Sequence, residues 1–252
     1  MTGLYFSGTG NTRYCVETFL KEYDADARTF SIEECALNDI EKQEEIVFGY
    51  PVQYSNLPRI VRDYITNHSD IWKGRKVFVI ATMGLFSGDG AGNLARLLKK
   101  HGAVVIGGLH LKMPDSIGDV RALKRPLSEN QRLVRDAEQK IKIAAHRLKS
   151  GNPTRDGLGF VSHLTGLFGQ RLYFYHKTRD YSDKLKIDAQ KCVGCGKCAG
   201  LCPMKNLRME NGKATAGSIC TMCYRCINNC PARAITLLGK TVFEQGGIEK
   251  YL

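Results

Sequence analysis

The chain of 252 residues is 43% apolar and 25% charged, the composition of an ordinary globular protein, which excludes wholesale disorder, collagen-like repeats and an extended coiled coil. Its formal net charge of +12 brings nucleic acid or an anionic membrane surface into view as partners. No apolar run approaches the roughly 20 residues needed to cross a bilayer, so no transmembrane segment is expected. Residues 1–6 lead straight into a motif and leave no room for a signal peptide, so a cytoplasmic location with reduced thiols is expected.

Residues 2–6 form a short apolar run, residues 7–12 a loop of small and hydroxyl residues, and a helix follows from about Arg13. Strand, loop and helix in that order present backbone N–H groups and a helix N-terminus to an anion, with glycine allowing close approach and Ser and Thr adding donors. A phosphate suits this loop. A dinucleotide fingerprint needs a third glycine where Arg13 stands, and a P-loop needs Gly-Lys followed by Ser or Thr, so neither fits. Downstream, 45–50, 76–82 and 103–111 are β-branched-rich strand candidates, with helical segments at 57–68 and 91–101 between them. A last helix at 127–149 carries an apolar stripe of Leu133, Ala137, Ile141, Ala144 and Leu148, a capping box of Ser128 with Gln131, and Gly151 as its stop. Strands alternating with helices predict a doubly wound parallel α/β sheet with its ligand at the carboxyl ends of the strands.

Ser7-Gly8-Thr9-Gly10-Asn11-Thr12 meets every position of the pattern S/T-x-T-G-x-T and resembles the FMN phosphate loop of flavodoxins. The resemblance implies a flavodoxin-like sheet of order 2-1-3-4-5 that holds FMN through this loop. It also implies two strand-end loops around the isoalloxazine ring. These would supply Pro51, Val52, Gln53 and Tyr54 from one loop, and Thr82, Met83, Gly84, Phe86, Gly88 and Asp89 from the next. Flat aromatic side chains stack on a flavin, which makes Tyr54 and Phe86 the stacking candidates. Asp89 has a competing role as the cap of the following helix. Cys15 and Cys35 read as packing thiols, and no constellation of His, Asp and Ser marks a catalytic residue.

Residues 152–183 are too apolar for a solvated linker, with Leu158, Phe160, Val161, Leu164, Leu167, Phe168, Leu172, Tyr173, Phe174 and Tyr175 broken by glycines. A connection docked between two domains or across a homodimer is the expected role. A basic surface helix on a membrane, or a groove for a partner, is the competing one.

Eight of the ten cysteines fall between Cys192 and Cys230. Cys192, Cys195, Cys198 and Cys202 precede Pro203 with the spacing C-x2-C-x2-C-x3-C-P, and Cys220, Cys223, Cys226 and Cys230 repeat it 28 residues later before Pro231. The repeat extends to Leu207 and Met209, which correspond to Ile235 and Leu237. Structural zinc typically takes two separated pairs and fits a tight third cysteine poorly, while disulfides are disfavoured in a reducing compartment. Over about residues 184–240 the segment resembles a bacterial two-cluster ferredoxin. That resemblance implies two 4Fe-4S clusters with crossed ligands: Cys192, Cys195, Cys198 and Cys230 for one, Cys220, Cys223, Cys226 and Cys202 for the other. Ile187, Val193, Ile219 and Ile227 are candidates for an apolar shell around them.

The whole chain resembles flavodoxin-ferredoxin fusion proteins, divided into a flavodoxin-like FMN domain at 1–151, the connection at 152–183 and a small α+β ferredoxin domain at 184–252. The resemblance implies electron transfer among FMN and two clusters. Cluster thiolates and the FMN phosphate lower the charge to roughly +6, and nucleic acid is then no longer required as a partner. Lys184, Lys186, Lys191, Lys197 and Lys205 either steer an acidic redox partner, such as a ferredoxin, flavodoxin or reductase, or form a solvated face. Two functions are carried forward, an electron-transfer module and an FMN-dependent reductase of a small-molecule acceptor fed through the clusters. A homodimer and peripheral membrane contact stay open.

Overall fold

Strands form here where apolar, β-branched residues run without a polar break, the pattern of strands covered on both faces. The structure, a computed structural model, describes residues 1–36, 38–41, 43–85, 88–159 and 180–252. Phe86 and residues 160–179 of the apolar connection thus lie outside the described residues. β1 (Thr2–Tyr5), β2 (Thr29–Ser31), β3 (Glu45–Pro51), β4 (Lys76–Met83) and β5 (Val104–Lys112) pair in parallel in the order β2-β1-β3-β4-β5. This is the flavodoxin-like order expected. β2 has only three residues, all half-buried, too few to show a period in the sequence.

Alternate strand residues point to opposite layers. On one face Leu4, Phe6, Ile46, Phe48, Val77 and Val79 pack with Val61, Ile65, Trp72, Leu94 and Leu98. On the other, Val47, Phe78, Ile80, Leu109 and Leu111 pack with Val16, Phe19, Val134, Ala137 and Ile141. The helices concerned are α1 (Asn11–Tyr23), α3 (Arg59–Asn67), α4 (Gly90–Lys100) and α5 (Leu127–Lys149), while α2 (Asn38–Glu41) is a single turn before β3. The capping box expected from Ser128 and Gln131 does not form. α5 begins at Leu127 behind Pro126 without a side-chain cap, which places Ser128 within its first turn. Ala137, Ile141 and Ala144 of the expected stripe are buried and Leu148 packs half-buried on the same core, where Val134 and Ala145 join them, while Leu133 is half-buried. The helix stops at Gly151 as expected, where Gly151 N–H donates to Leu148 O at 3.1 Å and Asn152 N–H to Arg147 O at 2.9 Å.

The C-terminal module is built from two short antiparallel pairs and two five-residue helices. β6 (Lys186–Ile187) pairs with β9 (Ile235–Thr236), and β7 (Leu207–Glu210) with β8 (Lys213–Ala216). Asn211 and Gly212 join the latter pair with φ of 49° and 73°, the two-residue hairpin turn that Asn-Gly favours. α6 (Lys197–Leu201) and α7 (Arg225–Asn229) carry the third cysteine of each repeat, Cys198 and Cys226. Leu185, Leu207, Ile227, Ile235 and Leu237 form the core. Among the described residues no helix is long and apolar enough to cross a membrane.

The two modules meet through buried polar contacts. Asp119, on the loop between β5 and α5, is 1% exposed. Its Oδ2 accepts from the N–H groups of Leu237, Leu238 and Gly239 at 2.7, 3.0 and 3.0 Å, and its Oδ1 from the Tyr224 hydroxyl at 3.1 Å. Arg225 pairs with both oxygens of Glu33 at 2.7 and 2.6 Å and also donates to Ser7 O at 2.8 Å. The C-terminal residues turn back, so that Ile248 and Tyr251 join the second core layer and Ile248 N–H donates to Thr9 O at 2.9 Å.

His110 on β5 shows how burial fixes a tautomer. Its Nε2 accepts from Ala91 N–H at 2.9 Å at the start of α4, so the neutral ring carries its proton on Nδ1. Burial lowers its pKa below 6.5, against the opposing pull of Asp156 and Asp89. A depressed histidine contributes stability above the ordinary value, and this is lost as pH falls through 6.5 toward the folded value. Chemical unfolding measured across that window should show stability falling with acid, and the His110→Asn variant should show a flatter profile.

Candidate functional site

A cavity of about 550 Å³ opens at the carboxyl ends of β1, β3, β4 and β5, the position that a doubly wound sheet reserves for a ligand. Ser7, Gly8, Thr9, Asn11 and Thr12 line it from the first loop, Pro51, Val52, Gln53 and Tyr54 from the second, and Thr82, Met83 and Gly84 from the third. Three expected residues lie elsewhere. A side chain at Gly10 would run into Ile248, so Gly10 faces the C-terminal tail. Gly88 is absent from the cavity wall, as is Asp89, which is fully buried at the N-terminal boundary of α4 and pairs with Arg96 at 2.5 Å. Its carboxylate is turned to Arg96 instead of the ligand.

The cavity fits FMN on several counts. The loop of residues 7–12 stands between β1 and α1 with Ser7 and Thr9 on the wall. The Thr12 hydroxyl bonds the Thr82 hydroxyl at 2.7 Å and ties the loop to the end of β4. Asn11 Nδ2 donates to Pro114 O at 2.7 Å, while Asn11 Oδ1 is buried without a partner. Such an acceptor is costly unless a ligand hydroxyl meets it. Tyr54 lines the cavity with φ of 46°, and its ring is stacked on Tyr181 at 6.3 Å between centroids. Burial pushes its phenol up to about 12, so it stays a neutral donor.

Several wall residues were not visible in the sequence as site residues. Asp115, Ser116, Ile117, Val120 and Leu123 come from the loop after β5. The strand-end rule could have pointed to that loop, but no motif marks it. Asp115 Oδ1 accepts from Ile117 N–H at 2.8 Å and its Oδ2 lies against Gly84. Burial raises its pKa despite Lys124 and Arg125 nearby. The second surprise is the far wall: Met222, Cys223, Tyr224 and Leu238 belong to the C-terminal module. Gly8 has to be glycine for this reason, because a methyl group there would overlap the Cys223 carbonyl.

The eight clustered cysteines separate into two sets in space. Cys192, Cys195, Cys198 and Cys230 line one small cavity, and Cys202, Cys220, Cys223 and Cys226 line another. Each set takes three thiols from one repeat and one from the other, the distribution that the crossed reading expects. Backbone N–H groups of Asn206 and Ala234 donate to Cys202 and Cys230 Sγ, both at 3.3 Å, and Met222 N–H donates to Cys220 Sγ at 3.3 Å. N–H···S bonds of this kind tune a cluster. Among the described residues no three His, Cys, Asp or Glu groups converge as a site for a single ion; the thiols surround cavities instead. The second set is the deeper one. Burial pushes Cys223 up to about 12 and raises Cys220 and Cys226, whereas N–H groups of Ala214 and Gly194 lower Cys192 near the surface. Iron bound to the deep set must therefore displace protons. Of the expected apolar shell, Ile187 and Val193 line the outer cavity and Ile227 the inner one, although Val193 is 67% exposed, while Ile219, 39% exposed, lines neither.

Comparison with known proteins follows the same division. Residues 4–107 match the family model for the flavodoxin domain, and residues 184–231 that for the 4Fe-4S dicluster domain. An uncharacterized ferredoxin of Methanocaldococcus jannaschii is 39% identical over 56 residues, 20% of this chain and 73% of the relative. A ferredoxin of Methanothermococcus thermolithotrophicus is 36% identical over 55 residues, 20% of this chain and 92% of the relative. The chain belongs to the flavodoxin-ferredoxin fusion proteins. The fusion is also similar to a solved flavodoxin of Megasphaera elsdenii, with 23% identity and a TM-score of 0.43 over 58% of this chain and 99% of that one. Its cofactors are FMN and two 4Fe-4S clusters, and it is an electron-transfer flavo-iron-sulfur protein.

Asp119 holds the fusion's two modules in register, so its removal should be felt in both. Asp119→Ala leaves the buried Leu237 N–H, the half-buried Leu238 and Gly239 N–H groups and the Tyr224 hydroxyl without their acceptor, a cost of about 3 kcal/mol. Denaturant unfolding followed by cluster absorbance should show the loss, with FMN released at a lower midpoint than in the wild type.

Proposed function

We propose that the fusion links a one-electron carrier protein to a two-electron acceptor. When bound, FMN supplies two-electron chemistry and each 4Fe-4S cluster one-electron chemistry. Ser7, Gly8, Thr9, Asn11 and Thr12 would hold the FMN phosphate end, with the loops containing Pro51 to Tyr54 and Thr82 to Gly84 around the ring. Cys192, Cys195, Cys198 and Cys230 would hold one cluster, and Cys202, Cys220, Cys223 and Cys226 the other. The observation that carries this reading is Cys223, which lines both the deep cysteine cavity and the flavin cavity. The chain thereby sets its sites in a row, from the exposed Cys195 inward to the flavin loops.

The surface around the outer cysteine set supports a protein partner. Lys186 and Lys197 are exposed there and Lys205 is exposed beside Cys202 of the inner set, whereas Lys184 and Lys191 pair with Asp183 and Asp188 at 3.4 and 3.1 Å. The first three are therefore the better candidates for steering an acidic ferredoxin or flavodoxin. A second reading, reduction of a small-molecule acceptor, is favoured by one observation. Asp115, a carboxyl whose pKa burial raises, stands on the cavity wall where a proton would be needed.

Two experiments test the proposal. In the anaerobically prepared Cys202→Ala variant, iron content should fall by about half, with the lost spectroscopic signal being that of the cluster of Cys220, Cys223 and Cys226. Loss confined to the set of Cys192, Cys195 and Cys198 would contradict the assignment. Charge reversal at Lys186, Lys197 and Lys205 should slow association with a reduced acidic ferredoxin by about tenfold at low ionic strength and flatten its salt dependence. Stopped-flow rates insensitive to both salt and substitution would place the partner elsewhere.

A further inference from the structure

The two cysteine repeats are copies 28 residues apart, so each residue of the second has a counterpart in the first. Lys205 and Arg233 correspond and share the same left-handed backbone, with φ of 49° and 48°. Between the cysteines the correspondence breaks in one respect. Gly194 and Gly196 have φ of 72° and 71°, and their counterparts Met222 and Tyr224 keep the left-handed conformation at 54° and 60°. Glycine adopts that conformation freely, while a residue with a side chain does so at a cost. The second repeat therefore accepts strain at two positions where the first has none.

That strain coincides with a change of surroundings. In the first repeat the loop faces solvent, with Cys195 exposed and Val193 67% exposed. In the second, Met222 and Tyr224 are 6% and 3% exposed and line the flavin cavity on either side of Cys223. Both are fixed by contacts from the flavodoxin domain. Gln53 Nε2 donates to the carbonyls of Thr221 and Met222 at 2.9 and 3.1 Å, and the Tyr224 hydroxyl donates to Asp119 at 3.1 Å. Tyr54 and Ser55 on the opposing loop are also left-handed, at 46° and 56°, so strained residues meet across the cavity from both modules. Backbone strain held in place by surrounding contacts is a mark of a functional site.

We propose that the FMN site is composite: Met222 and Tyr224 form its outer wall, and the ferredoxin repeat carries them in place of glycine to close the flavin against the Cys223 loop. The inference rests on the reading of this cavity as the FMN site and adds the second half of that site. Met222 offers a flexible, polarizable thioether and Tyr224 an aromatic ring, both suited to a flat aromatic ligand. The phosphate loop and these two side chains share one wall, with Gly8 lying directly against the Cys223 carbonyl.

The test is FMN titration of the full-length, cluster-loaded protein after flavin removal, followed by flavin fluorescence. The variants are Met222→Gly and Tyr224→Gly, which restore the residues of the first repeat, with Met222→Ala and Met222→Leu beside them. The glycine variants should keep their iron and bind FMN about tenfold or more weakly, as expected for losing a buried apolar side chain from the site. Met222→Leu, of similar volume, should stay within about threefold of the wild type. Met222→Ala gives the same reading should a glycine variant lose iron. Wild-type affinity in the alanine and glycine variants, with tight FMN binding by the parent, would overturn this inference alone. A parent chain that takes up no FMN would overturn the cavity assignment and the inference with it.

Discussion

The carboxylate of Asp119 is the contact on which the relation of the two modules depends. It lies on the loop that leaves the carboxyl end of β5, and it satisfies three consecutive N–H groups at residues 237–239 together with the Tyr224 hydroxyl. A buried carboxylate is costly unless its lone pairs are filled. Filling them from the C-terminal module fixes where that module can sit. The Cys223 loop is then laid over the flavin loops, Gly8 is left with no room for a side chain, and Arg225 reaches both Glu33 and the Ser7 carbonyl. Surface ion pairs add little by themselves, but this pair is partly buried, with side chains 20% and 18% exposed, and repeats the same alignment from a second point.

The geometry explains why the two cysteine sets differ although their sequences are near copies. The outer set opens to solvent through Cys195 and Val193 and lies among exposed lysines. The inner set is lined by the C-terminal module alone and meets the flavodoxin loops through Cys223, and burial raises the thiols of Cys220, Cys223 and Cys226. Solvent exposure and N–H···S bonding are the levers that set a cluster's potential, so the same ligand spacing yields two sites of different character. One suits exchange with a partner protein, and the other suits exchange within the chain.

Much of this was legible in the sequence because the chemistry requires it locally. A phosphate loop must be small and rich in donors, and a cubane must have thiols at fixed spacing, so residues 7–12 and the eight cysteines announce themselves. The four longer helices and four of the five strands of the parallel sheet carry enough residues to show a period, whereas Thr29–Ser31 does not. Asp89 misled because a carboxylate in a glycine-containing loop looks the same whether it faces a ligand or, as here, Arg96. The far wall of the cavity was hidden for a different reason. Met222 and Tyr224 act across more than 100 residues of chain from the loop at Asp115 and Asp119, and no local pattern encodes such a meeting. A trace was nevertheless present in the comparison of the repeats, where two glycines of the first become Met and Tyr in the second.

The central claim is that the ferredoxin module is part of the flavin site, and iron-edge anomalous diffraction from anaerobically grown crystals of the loaded protein tests it most directly. The account predicts FMN density with its phosphate at residues 7–12 and its ring against Met222 and Tyr224. It also predicts two iron peaks, the inner one at Cys202, Cys220, Cys223 and Cys226 beside that density. A ferredoxin module displaced from the carboxyl ends of the strands, or flavin density that does not touch the Cys223 loop, would contradict it.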